Sequence, residues 1–445
     1  MCDTLVATGN STADGAVIFA KNTDREPNEA HQLVIIPGTN HEPGSTVKCT
    51  YLEIPQVEQT YTVLLAKPFW MWGTEMGAND KGVVIGNEAV FTRVPYEKGP
   101  GLIGMDFMRL ALERASTARQ AVDTIIHLLE KYGQGGNCGF THKFFYHNSF
   151  IVADPYQAWV LETAGRQWAL EKVVVVRSIS NALTIGGEWE QASRDLVAFA
   201  REKGWCKRYQ EFSFAECYSE PIYTRLGDGV ARQCRSSELL AHQGPITVET
   251  MMKVLRDHGP QTGAAQQVRQ GVFGADICMH AGYGPVRNSQ TTGSMVSHLL
   301  PGQQTHWLTG TAAPCTGVFK PVWIDSGLPE IGPAPTGTYD NKTLWWRHEA
   351  LHRMIIRDYP TRIELIREER DEMEGAFIRT TRGVAERSQS ERGLFSKRCF
   401  SQAQEATLRW TEQVCMPKIR NRPGRLYLAA WRGFNKKSKF PGSQR

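Results

Sequence analysis

The sequence predicts an α+β fold built in layers, and three observations carry that expectation. Short β-rich runs alternate with turn-forming segments at the front of the chain, a stretch at 103–132 has helical periodicity, and Lys342–Pro417 is charged and helix-patterned. Strands and helices come in runs instead of strictly alternating, which points to antiparallel sheets with segregated helices. A two-layer sheet sandwich with helices outside satisfies this pattern, although strand order is not readable from it.

Thr4–Thr8, Ala16–Ala20 and Gln32–Ile36 are the first β-rich runs, punctuated by GNSTADG and PGTNHEPGS. Gly82–Ile85, Phe150–Ala153 and Ala158–Glu162 continue the series, the last two separated by the turn-like DPYQ. Between them Phe107, Leu110, Ala111, Val122, Ile125, Ile126 and Leu129 recur at three-to-four spacing, which predicts one or two amphipathic helices with a break near Ser116–Thr117. Further helices are expected at Trp189–Lys203, Ser236–His242 and Val248–Asp257, and further strands at TTGSMVSHLL and THWLTGTAAP. The expected organisation is a main domain over 2–335, a helical extension over 342–417 and a basic tail over 418–445.

With 445 residues and 41% hydrophobic content the chain can bury a sizeable core, so disorder is not expected. The first residues carry no basic start followed by an apolar stretch, and no segment approaches the roughly 18 to 20 apolar residues needed to cross a bilayer. The expectation is a cytoplasmic protein without a membrane span. Ten cysteines are scattered without a CxxC pair, so the sequence predicts buried reduced thiols and no metal site. The net charge is +5, yet the last 30 residues hold nine Lys or Arg and no acid, so the preceding body is itself acidic. This end reads as a solvated tail and a candidate surface for an acidic partner, with LYLAAWRGF able to dock; no specific nucleic-acid fold accompanies it.

The unusual address is Cys2. Removal of Met1 places a thiol and a free α-amine on one residue, and an amine with a pKa of roughly 7.7 to 8.0 is partly uncharged near neutrality and can take the thiol proton. One hairpin later comes the cluster Lys21, Asn22, Asp24 and Arg25. A strand bearing Cys2 paired with Ala16–Ala20 brings that cluster to the nucleophile, where Asp24 can hold the amine or thiol and Arg25 can pair with a substrate carboxylate. Taken alone, NTDR reads as a turn with a surface ion pair.

MCDTLVATGNSTADGAVIFAKNTDRE resembles the opening of the dipeptidase and secernin family of N-terminal nucleophile hydrolases, related more distantly to choloylglycine hydrolases and penicillin V acylases. WGTEMGANDKGVVIGNEAVFT (72–92), GLIGMDFMRLALERASTARQAV (101–122), YHNSFIVADPYQAWVLETAGRQWA (146–169) and SISNALTIG (178–186) are similar to successive blocks of that pattern, as are ICMHAG, SQTTGSMVSHL and HWLTGTAAPCTGVFKPV. The resemblance spans about residues 1–325. It implies a four-layer α-β-β-α sandwich, a cysteine-dependent hydrolase acting on small peptides or related amides, and no cofactor.

By the same resemblance Cys2 is the nucleophile, Asp24 its neighbouring carboxylate, Asn79 an oxyanion donor, Asn181 a second asparagine and Arg232 a late arginine, with Arg235 as the competing register. An oxyanion donor contributes about 2.7 to 4 kcal/mol. Lys21 stands where choloylglycine hydrolases tend to have Arg, which weakens bile-salt or penicillin-type recognition because Lys has no bidentate fork. Lys21, Arg25, Trp72 and Arg235 are the candidate substrate-binding residues. Glu75 and Glu88 read as solvated carboxylates, and His258 and His280 as structural histidines. The remaining alternatives are an acylase or acyltransferase acting on a non-peptide amide, and a non-catalytic secernin-like scaffold; a homo-oligomer is compatible with either.

Overall fold

The computed structural model describes residues 2–206, 211–241, 244–259, 268–284 and 287–441. In chain order the strands are β1 (Cys2–Ala7), β2 (Val17–Arg25), β3 (His31–Ile36), β4 (Thr46–Lys48), β5 (Glu53–Pro55), β6 (Val63–Pro68), β7 (Met76–Asn79), β8 (Val84–Val90), β9 (His147–Ala153), β10 (Ala158–Ala164), β11 (Gln167–Val173), β12 (Val176–Ile179), β13 (Gln191–Ala192), β14 (Gln290–Leu300), β15 (Gln303–Leu308) and β16 (Lys320–Val322). The helices are α1 (Gly104–Arg114), α2 (Ala118–Tyr132), α3 (Leu196–Glu202), α4 (Phe214–Tyr218), α5 (Pro221–Leu226), α6 (Gly229–Ala241), α7 (Val248–Leu255), α8 (Leu344–Ile355), α9 (Tyr359–Val384), α10 (Gln389–Cys415) and α11 (Arg425–Lys437).

Two antiparallel sheets stack face to face. One runs β12-β1-β2-β14-β15-β16 and the other β13-β11-β10-β9-β8-β7-β6-β3, with β4 and β5 as a separate hairpin. Alternation along the strands assigns the faces. Val6, Val17, Phe19 and Met295 from the first sheet share a core with Ala66, Val84, Ile151 and Val160 from the second. Leu5, Ile18, Ala20 and Val296 turn outward to meet α7, α9 and α10, while Leu65, Ile85 and Leu161 turn outward to meet α1 and α2. The layer order is therefore helix, sheet, sheet, helix, the arrangement expected from the resemblance.

The helical pair is where its periodicity places it. Thr117 caps α2 by accepting the Gln120 N–H, and Gly133, at φ 73°, ends it in a conformation other residues resist. Three expectations need correcting. NTDR is not a turn: β2 continues through Arg25 because β1 and β14 pair with both of its edges. The helix expected over Trp189–Lys203 is reduced to α3, because Gln191–Ala192 pairs with β11 instead. Among the described residues the chain from 417 to 441 is not a solvated tail: α11 buries Tyr427 and Trp431, and the Trp431 indole donates to the Ala281 carbonyl at 3.1 Å. His242, the expected end of α6, lies outside the described residues. Helices α8, α9 and α10 share one core with the first sheet, so these helices pack directly on the body. Among the described residues no helix is long and apolar enough to cross a membrane.

Candidate active site

Antiparallel register sets Cys2 opposite Thr23 and Asp24 opposite Thr291. The β2–β14 register shifts between Thr291 and Gly293, a bulge beside the site that re-aims Thr291. Its hydroxyl donates to Asp24 Oδ1 at 2.7 Å.

Around Cys2 nearly every polar atom has a defined partner. The Asp24 backbone N–H donates to the Cys2 Sγ at 3.3 Å, and the Cys2 backbone N–H donates to Asn181 Oδ1 at 2.8 Å. The Cys2 carbonyl accepts from Arg232 Nη1 at 3.0 Å and from the Ser180 hydroxyl at 3.1 Å. Arg232 also donates to Asp3 Oδ2 at 2.5 Å and, through Nη2, to the same Asn181 oxygen at 2.6 Å. A buried guanidinium needs such a set, because each unsatisfied donor would carry its full desolvation penalty. The arrangement fixes the Cys2 backbone nitrogen.

Burial pushes the Cys2 thiol up to about 12, against the pull of nearby Lys21. The protonated thiol is thus favoured over the thiolate. Burial likewise raises Asp24 to about 7, more than the favourable charge of Arg232 can offset. Burial opposes the charge on Lys21, but Cys2, Glu88 and Glu75 outweigh it and raise the ammonium.

A cavity of about 490 Å³ opens over Cys2. Asp24, Glu26, Glu29 and Glu75 line it together with Arg25, and Phe91, Phe144, Tyr146 and Tyr223 form its apolar wall. A site of this size with a few convergent polar groups suits a small ligand.

Several candidate residues are elsewhere or otherwise engaged. Asn79 does not line the cavity: its Nδ2 donates to the Leu112 and Ala115 carbonyls at 2.8 and 2.7 Å, and its Oδ1 accepts from the Lys81 and Val83 N–H groups. It ties the end of α1 to the turn after β7 and is not free to face an oxyanion. Trp72 lies under the Arg109 guanidinium, 4.0 Å from its ring centre, and packs on the α1 layer. Arg235 points away, pairing with Asp257 at 3.0 Å, so Arg232 is the arginine beside Cys2. Lys21 is held between the sheets, donating to the Asn87 carbonyl at 2.5 Å and pairing with Glu88 at 3.3 Å. Gly86 permits this crossing, since a Cβ there would meet the Lys21 side chain at 2.6 Å.

Arg25 does line the cavity, but its guanidinium is occupied. It contacts Glu29 at 2.6 Å, Glu75 at 3.3 Å, the Cys138 carbonyl at 2.6 Å and the Tyr146 hydroxyl at 3.3 Å. It orders the acidic wall and is not a free receptor for a carboxylate. Glu75 and Glu88 are buried, contrary to their reading as solvated, because Arg25 and Lys21 partner them. Tyr146 and Thr291 were missed as site residues; both lie in segments that carry the resemblance, but neither has a spacing signature.

The sequence profile described as peptidase family C69 matches residues 1–225. A probable dipeptidase of Salmonella dublin is 24% identical over 247 residues, covering 49% of this chain and 53% of that protein. A dipeptidase of Bifidobacterium longum is 27% identical over 197 residues, covering 39% of this chain and 35% of that one. The chain thus spans about half or less of the length of these curated relatives. Among solved structures, a C2A mutant of the conjugated bile acid hydrolase from Clostridium perfringens aligns with a TM-score of 0.39 and 13% identity over 69% of this chain and 88% of that one. Penicillin V acylase from Agrobacterium tumefaciens aligns with a TM-score of 0.42 and 13% identity over 72% and 86%. The profile match covers just over half of the sequence, and the chain belongs to peptidase family C69.

Proposed function

We propose that this chain is a cysteine-dependent hydrolase of small peptides, dipeptide-like in its substrate, that acts through Cys2 after Met1 is removed. The observation that carries the reading is the Cys2 backbone nitrogen held at 2.8 Å by Asn181 while its sulfur meets the Asp24 N–H at the wall of the cavity. The freed amine takes the thiol proton, and the thiolate attacks the substrate carbonyl to form a thioester while the ammonium protonates the departing amine. Water activated by the same amine then hydrolyses the thioester and regenerates the thiol. Asn181 and Arg232 keep the amine in place, and the charge of the ammonium, once formed, favours ionisation of Asp24 beside it. With Asn79 committed to α1, Asn181 is the one of the two candidate asparagines that contacts Cys2.

The four lining carboxylates outnumber the single arginine among them, which favours a substrate presenting an ammonium group, such as the free amino end of a peptide. The same acyl-enzyme would serve a non-peptide amide, but an uncharged amide would make no use of the excess of carboxylates along this wall. The test is turnover of a dipeptide panel by processed protein and by its Cys2→Ala variant. Release of free amino acids that the variant lacks supports the proposal, and equal turnover by both overturns it.

A further inference from the structure

On the outer face of the first sheet, among residues that do not line the reactive cavity, two imidazoles and two thiols converge. The ligand atoms of His258, Cys278, His280 and Cys315 all lie within 4.8 Å of one another. Cys278, His280 and Cys315 are buried and His258 is half-buried. His258 follows α7, Cys278 and His280 precede β14, and Cys315 lies between β15 and β16. No local spacing could advertise them.

The geometry is close to that of a tetrahedral centre. Zinc bonds of about 2.0 to 2.1 Å to nitrogen and about 2.3 Å to sulfur imply separations of roughly 3.3 Å between nitrogens and roughly 3.6 Å between nitrogen and sulfur. His280 Nε2 lies 3.2 Å from His258 Nε2, 3.3 Å from the Cys315 Sγ and 3.8 Å from the Cys278 Sγ.

The far side of each imidazole is also provided for. His280 Nδ1 meets His352 Nε2 at 2.9 Å, and His352 Nδ1 meets Glu349 Oε2 at 3.0 Å. This chain is consistent with each Nδ1–H donating outward, which leaves His280 Nε2 with a lone pair facing the sulfurs. Glu349 is anchored by Arg353 at 2.7 Å. His258 Nδ1 faces the Tyr359 hydroxyl at 3.3 Å. Backing of this kind fixes tautomer and ring orientation in metal sites. A metal-free alternative is two thiols hydrogen-bonded to His280, but thiols are weak donors and would not need the relay behind it.

We propose that His258, Cys278, His280 and Cys315 form a structural zinc site that fastens the chain flanking α7 and β14, and the β15–β16 connection, to α8 and α9. Two thiolates balance the dipositive ion, so the buried centre is neutral; binding releases the two thiol protons to solvent and involves no redox change. All four positions are filled by protein, as in structural rather than catalytic sites. The centre also braces the nucleophile's neighbourhood: Met279, between two of the ligands, donates its N–H to the Thr291 hydroxyl at 2.9 Å, and that hydroxyl holds Asp24.

The test is metal analysis of the full chain expressed with zinc and passed over a chelating resin, together with reconstitution by Co(II). The expected result is about one zinc per chain and the visible and charge-transfer bands of tetrahedral cobalt bound to two sulfurs and two nitrogens. A Cys278→Ser/Cys315→Ser double variant should lose both and melt at lower temperature, while Cys399→Ser, altered at a buried cysteine outside the cluster, keeps them. Folded wild-type protein that holds less than about 0.1 zinc and gives no cobalt bands overturns the proposal. So does a double variant that retains zinc. If the double variant does not fold, the wild-type stoichiometry and cobalt spectrum still decide.

Discussion

Asn181 Oδ1 accepts at once from the Cys2 backbone nitrogen and from Arg232 Nη2, at 2.8 and 2.6 Å. One oxygen thus couples the nitrogen of the second residue to a buried arginine that also pairs with Asp3. Removing Arg232 leaves Asp3 buried without its ion partner, which costs about 3 to 5 kcal/mol. Arg232→Ala should therefore lower the unfolding midpoint sharply. Arg232→Lys should restore much of the stability but not the placement of Asn181, so turnover should stay about 10²-fold down. Denaturant melts and kcat for the two variants check this split.

Asn79 is a structural residue in this account. Asn79→Ala leaves the Leu112 and Ala115 carbonyls and two backbone N–H groups without its amide, and each buried unsatisfied group costs about 1 to 3 kcal/mol. The expected outcome is a clear loss of stability with kcat per folded molecule within about two-fold of wild type, whereas loss of an oxyanion donor would lower kcat about 10²- to 10³-fold. Activity measured well below the variant's melting temperature separates the two.

The acidic wall predicts a dependence on the substrate's amino end. N-acetylation of a good dipeptide should reduce kcat/KM by about 10²-fold, as expected for loss of a charged contact in a partly desolvated site. Glu75→Gln should raise KM for the free peptide and narrow its advantage over the acetylated one. Equal use of both peptides by wild type would remove the ammonium from the account.

Acid should destabilise the fold partly through His147. Burial lowers its pKa from 6.5 to about 3. Between those values the unfolded chain binds a proton that the native chain does not, so the stabilisation is complete above pH 6.5 and is lost as pH falls toward 3. At pH 5 the single group accounts for on the order of 2 kcal/mol. His147→Gln should shrink the drop in unfolding free energy between pH 7 and pH 5, read by urea melts at both. An unchanged drop would remove His147 from the acid response.

What the sequence revealed follows from how local each signal is. The break between α1 and α2 was legible because periodicity and the Thr117 cap act within a few residues. The extension of β2 through Asp24 and Arg25 was not, because strand pairing with β14 rescues polar residues that look like a turn in isolation. Cys2 stood out by its address, and Asp24 by its distance of one hairpin. Asn79 was misplaced because motif likeness carries no information about where an amide points. The ICMHAG segment held two of the four ligands in the His and Cys cluster, but His258 and Cys315 join them only through tertiary packing.

The most direct test of the central claim is to treat active protein with a peptide-based thiol electrophile and map the adduct together with the residue at the N-terminus. The account predicts Cys2 as the first residue, a single adduct on its sulfur, and loss of activity in proportion to labelling. Active protein that retains Met1, or an adduct on another cysteine with turnover surviving in Cys2→Ala, would contradict it.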